Sequence, residues 1–225
     1  RGFYSAGEFD LTPLIENAAL NDHCGRRVLV KALPVRHRIS GRRMAPLSAH
    51  IAYLKREGVT RDGSPTRMFD AESDRADDRA FADRCKDDRH HFRFIVSPED
   101  GAELSDLTAY TREFMKQVEA DLGTKLDWVA VNHHNTGHPH VHIVVNGRDD
   151  TGGDLVINGD YLANGLRERA SELAGLELGP VTEIEQSRKL SAEVDQDRFT
   201  RIDRAMTVEA DERFIDLRHE PDNPR

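Results

Sequence analysis

Five of the eleven histidines fall between Trp128 and Asn146, in the run WVAVNHHNTGHPHVHIVVN. Three of them, His133, His140 and His142, could meet at one metal ion. The apolar runs Trp128–Val131 and Val141–Val145 flank a polar turn of Asn135, Thr136 and Gly137, which predicts strand, loop, strand. Successive side chains of a strand point to opposite faces, so His140 and His142 share one face while Val141, Ile143 and Val145 share the other. A His-x-His pair on a strand offers two ligand arms, and His133 on the neighbouring strand offers a third. Three neutral imidazoles with an open position suit a catalytic metal, which polarises a phosphoryl or carbonyl oxygen or lowers the pKa of bound water. The more ordinary alternative, histidines in routine surface or core hydrogen bonds, fits poorly with their alternation with β-branched residues.

These strands need a sheet and helices to hold them. Residues 26–33 (RRVLVKAL) and 91–96 (HFRFIV) alternate as strands do. The histidine strands stand about ten residues apart, too close for a parallel crossover, which predicts a largely antiparallel sheet. In SDLTAYTREFMKQVEADLG, Leu107, Tyr110, Phe114, Val118 and Leu122 recur at helical spacing, with Ser105 as the expected N-cap and Gly123 as the stop. APLSAHIAYLKREG reads as a shorter helix from Pro46 to Gly58, and Asp77–Asp88 as another short one. Asp160 is placed to cap a helix through Leu173, and the LVI at 155–157 reads as a short strand. The expected architecture is α+β: residues 1–25 an N-terminal arm, 26–178 a catalytic domain, and 179–225 a helical extension and tail.

With 225 residues, 32% charged and 37% hydrophobic, the chain can bury a core and is not disordered by composition. No apolar run is long enough to span a bilayer and nothing resembles a signal peptide, so a cytoplasmic setting with no membrane partner is expected. The chain opens on Arg1, as a piece of a longer protein would. Cys24 and Cys85 lack CxxC spacing, which points to reduced thiols rather than metal ligands. Net charge is −9, yet Cys24–Arg56 holds nine basic residues and no acid: Arg26, Arg27, Lys31, Arg36, Arg38, Arg42, Arg43, Lys55 and Arg56. Such a face can hold nucleic acid on an acidic protein, because phosphate contacts are local and screened within about 10 Å; the alternative is a solvated face without a ligand.

GxSxG, HExxH and phosphate-cradling Gly-rich motifs are all absent. Tyr53, beside His50, Lys55 and Arg56 on a basic helix, stands as the candidate nucleophile; a phenol ionises near pH 10 and needs cationic neighbours or a base to attack phosphorus. Of the other tyrosines, Tyr110 lies on an apolar helix stripe, Tyr161 follows a helix cap and Tyr4 sits in the arm.

His133-His134-Asn135, then TGHP, then His140-Val141-His142 and IVVN resembles the histidine motif of the relaxase/mobilisation nuclease family, the conjugative DNA nickases that include the T-DNA border endonuclease. Tyr53-Leu54-Lys55-Arg56-Glu57-Gly58 is similar to that family's N-terminal nucleophile helix. The likeness covers about residues 26–175. It implies a five-stranded, largely antiparallel sheet flanked by helices, the His-hydrophobe-His endonuclease fold. It further implies one divalent metal (Mg or Mn, with Zn as an alternative) on His133, His140 and His142, and attack by Tyr53 on single-stranded DNA at a transfer origin. The product is a 5′-phosphotyrosyl link, made with accessory relaxosome proteins and a type IV secretion coupling protein as partners. Asn135 stands where the family often has Asp; if that acid orients a ligand histidine or assists the tyrosine, another group must do so here. His134, His138, Asp100 and Asp149 are the choices, with His134, Asn135 and His138 expected around the ligands. Two other classes stay open: a hydrolase using metal-bound water, and a DNA-binding domain whose metal is structural.

Overall fold

A computed structural model describes residues 25–39, 42–43, 46–57, 66–134, 138–182, 184–185 and 187–189. The expected N-terminal arm, most of the C-terminal extension, Gly58 and Asn135 lie outside the described residues. The chain divides into two compact units, Arg1–Pro180 and Val181–Arg225. In the second, Thr182 and Glu185 form a reciprocal capping box: each backbone N–H donates to the other's side chain, at 2.7 and 3.2 Å.

The first unit is built on a sheet of β1 (Val28–Arg36), β4 (His90–Pro98), β5 (Trp128–His133) and β6 (His140–Asn146). Their order is β1-β4-β6-β5 and every pairing is antiparallel. The short strands β2 (Arg38–Ile39) and β3 (Arg42–Arg43) pair only with each other. Among the described residues the sheet therefore has four strands, not the expected five. At its β5 edge the chain approaches as a single bridge, Phe69 to Ala130, with N–H···O distances of 2.9 and 2.8 Å. The expected strand at 155–157 is likewise no strand; only Arg148 and Asp154 bridge there, although Leu155 and Ile157 are buried.

Strand alternation divides the core in two. Phe92, Phe94, Val96, Trp128, Ala130, Val141, Ile143 and Val145 point to one face. They pack under α3 (Leu107–Leu122) and α4 (Leu166–Leu178). Val129, Val131 and Val144 point to the other, under α1 (Leu47–Glu57) and α2 (Asp78–Arg84), where Leu47, Ile51, Leu54 and Phe81 are buried. Helix α3 buries Leu107, Tyr110, Phe114 and Val118, the stripe its sequence spacing predicts, and stops at Gly123 in the left-handed region (φ 67°). Its cap is Asp106 rather than Ser105: the Asp106 carboxylate accepts from Thr108 N–H, while Ser105 binds Glu177. The Asp160 cap is also corrected, since Tyr161–Gly165 forms a π-helical turn and Asp160 accepts from Asn164 instead of a backbone N–H.

Candidate active site

The register of β5 against β6 sets His133 opposite His140 and Val131 opposite His142. Paired residues share a face, so all three histidines project to the α1 side of the sheet. Their ring centroids lie 4.6 to 5.3 Å apart, and one ligand nitrogen from each falls within 4.8 Å of the others. Two rings are oriented by the backbone. His133 Nε2 binds the Leu54 carbonyl at 3.0 Å, which assigns its proton to Nε2 and its lone pair to Nδ1. His140 Nδ1 binds the His138 carbonyl at 3.0 Å, leaving Nε2 for a metal. Burial lowers the pKa of His140, and burial followed by the charges of His133, His140 and His50 lowers that of His142 to about 2. Neutral imidazoles oriented by backbone carbonyls are what a divalent metal requires, so this donor set fits one.

The Leu54 carbonyl belongs to α1, and its chain neighbour is Tyr53, 38% exposed with the Arg56 guanidinium 5.6 Å from its ring centroid. Helix α1 forms this way because Leu47, Ile51 and Leu54 recur at helical spacing and bury beneath it, which turns Tyr53 outward. The other described tyrosines are committed. Tyr110 donates to the Ala170 carbonyl at 2.6 Å and Tyr161 to Asp121 at 2.7 Å, and burial raises both phenol pKa values. Cys85 is buried, and its thiol is pushed up to about 12, chiefly by burial.

The basic residues expected to meet nucleic acid scatter. Lys31 sits on the histidine face of β1, opposite Ile95, and Arg36 is exposed at the end of that strand. Arg27 pairs with Glu99 at 3.2 Å, and Lys55 with both oxygens of Asp78 at 3.0 and 3.1 Å. Arg38, Arg42 and Arg43 lie on the β2–β3 ribbon, and their side chains fall outside the described residues. Arg26 needs correction. It is 4% exposed and its guanidinium binds Asp100, the Leu178 carbonyl and the Gly179 carbonyl, so it clamps the end of α4 to the sheet. Replacing Arg26 with alanine removes the largely buried ion pair with Asp100, and denaturant melts should show a loss of about 3 kcal/mol. Among the proton acceptors considered, Asp100 is thus held by Arg26, and Asp149 accepts from Thr151 and Gly153 in its own turn. His134 is half-buried and His138 exposed.

A second group on the same face went unnoticed in the sequence. His91 is 2% exposed; its Nδ1 lies 2.7 Å from His37 Nε2, and its Nε2 accepts from Arg93 Nε at 2.9 Å. Since Nε2 accepts, the ring is neutral with its proton on Nδ1. Burial, then Arg93, then the neighbouring histidines push its pKa down to about 3; burial and Arg93 push His50 on α1 to about 4. A folded pKa below the unfolded value of about 6.5 means that stability is full above pH 6.5 and falls as the unfolded chain takes up the proton first. His91 alone should cost about 2 kcal/mol at pH 5. Melts from pH 7 to pH 4 should show this fall, and His91→Asn should make it shallower, with the contributions of His50 and His142 remaining.

No curated protein matches the chain. A family model described as "Relaxase: MobA/VirD2-like, nuclease domain" matches residues 55–173, just over half of it. The matched stretch contains the three histidines and begins two residues after Tyr53. With an antiparallel sheet carrying a histidine triad beneath a basic helix, the chain belongs to the MobA/VirD2-like relaxase nuclease-domain family.

Proposed function

We propose that this chain is a site- and strand-specific DNA nicking-closing enzyme that acts at a transfer origin, with residues 26–178 as its catalytic unit. The observation that carries the reading is the hydrogen bond from His133 to the Leu54 carbonyl, which ties the helix bearing Tyr53 to the metal-binding histidines. The Tyr53 Oη attacks the scissile phosphorus, the P–O3′ bond breaks, and the 5′-phosphate ends up on tyrosine while the 3′ oxygen leaves and takes a proton. One ester replaces another, so the step reverses and the strand can be rejoined. The Arg56 guanidinium, 5.6 Å from the Tyr53 ring centroid, supplies positive charge beside the attacked phosphate. A bound Mg²⁺ or Mn²⁺, or Zn²⁺ given three imidazoles, would orient the phosphate and offset its developing charge. His133, His140 and His142 would hold it, the first two aligned by their carbonyl partners and the last two kept neutral by burial. The partners are single-stranded DNA, relaxosome accessory proteins and a type IV secretion coupling protein.

The test is a covalent protein–DNA adduct. Short single-stranded oligonucleotides tiling the DNA element that encodes this chain are incubated with the protein and Mg²⁺ or Mn²⁺, then resolved under denaturing conditions. One oligonucleotide should yield a shifted band and a fragment ending in a 3′-hydroxyl. Cleavage without an adduct would instead favour attack by metal-bound water. A fold lost on chelation, with no cleavage, would favour a structural metal.

A further inference from the structure

Arg93 stands on β4 between Leu33 of β1 and Val144 of β6, on the face that carries His142. Strand geometry places it diagonal to His142, about 7–8 Å away. His50 connects the two: the Arg93 charge depresses the His50 pKa, and His50 in turn acts on His142. The guanidinium is half-buried, and burial lowers its own pKa. A desolvated arginine normally recruits a carboxylate, since an unpaired buried charge is costly. Among the described residues no carboxylate pairs with Arg93. Its hydrogen bond goes from Nε to the neutral ring of His91, which is itself braced by His37. Among the described residues one of five guanidinium N–H donors is therefore engaged, and Arg93 is half-buried rather than enclosed. Lys31 and Leu33 on β1 stand beside it, and among the described residues of these strands this part of the sheet face carries no acid.

We propose that Arg93 is a phosphate receptor, taking through its Nη edge a backbone phosphate of single-stranded DNA one or two nucleotides from the phosphate at the histidine triad. This rests on the DNA-nicking reading above. The planar fork matches two phosphate oxygens, and the His91–His37 pair fixes its orientation before the strand arrives, so little ordering is left to binding. The anion itself supplies the missing counter-charge.

The experiment measures binding of the tiled oligonucleotides by fluorescence anisotropy between about 50 and 200 mM NaCl, where each lost phosphate contact removes about 0.7 from the log–log salt slope for a single strand. R93Q should bind about tenfold more weakly, with the slope lower by about 0.7. R93K should keep the slope but lose about fivefold in affinity, because an ammonium cannot form the fork. A folded R93Q with the wild-type slope overturns the proposal. If R93Q does not fold, R93K decides: binding at wild-type strength overturns the proposal, and the fivefold loss at unchanged slope supports it. Failure of the wild-type protein to bind any oligonucleotide would instead overturn the DNA reading, which keeps the two failures apart.

Discussion

Tyr53→Phe should abolish the covalent protein–DNA adduct, with the nicking rate falling by at least about ten-thousandfold, or more than 5 kcal/mol in the barrier. Single-strand affinity should stay within about twofold of wild type. The asymmetry follows from what the substitution removes. Phenylalanine keeps the ring, its contact with the Arg56 guanidinium and the helical position beside Leu54, so the hydrogen bond from His133 to the Leu54 carbonyl survives. Only the attacking oxygen is lost. No other described tyrosine can replace it, because the hydroxyls of Tyr110 and Tyr161 are bound to the Ala170 carbonyl and Asp121, and burial holds both protonated. Tyr53 is 38% exposed, so its substitution should leave the melting temperature almost unchanged. An adduct in Y53F at more than a few percent of the wild-type yield would remove Tyr53 from the mechanism.

Much of this site could be read from residue order because its parts are local. The alternation of His140, Val141, His142 and Ile143 fixes which side chains share a face, and the short turn after His133 dictates an antiparallel neighbour. The Leu107–Val118 stripe and Gly123 mark a helix without reference to any partner. What escaped depends on strand order. Basic side chains grouped along the sequence between Cys24 and Arg56 disperse once β1 pairs with β4, so that Arg26 turns inward to Asp100 while Lys31 faces the site. Arg93 and His91 lay in a stretch read only as a core strand. Their alternation with Phe92 and Phe94 did show that one face of that strand is polar. That this face is continuous with His142 became clear only with the register of β4 against β6. Ser105 and Asp106 are both good caps, and adjacent candidates are separated by tertiary contacts such as the one to Glu177.

His142→Ala should lower nicking by about a thousandfold, equivalent to about 4 kcal/mol, and chelation of the wild-type protein should produce the same loss. His142 is the most informative of the three proposed ligands because its ring lies nearest to both others, 4.6 Å from His133 and 5.1 Å from His140. His133 is less clean: its ring also satisfies the Leu54 carbonyl, so its removal disturbs the seat of α1 as well as the metal. Two imidazoles still bind a metal weakly, so excess Mn²⁺ should recover part of the activity of H142A and none of that of Y53F. That contrast separates loss of the ion from loss of the nucleophile. DNA affinity should fall only modestly in H142A if the ion acts chiefly on the scissile phosphate, since under the proposal above Arg93 would still hold the strand. Calorimetric titration with Mn²⁺ should show about one site in wild type and an affinity at least about a hundredfold lower in the variant. An H142A protein that binds Mn²⁺ as tightly as wild type, or nicks at an undiminished rate, would show that the three histidines are not the metal centre.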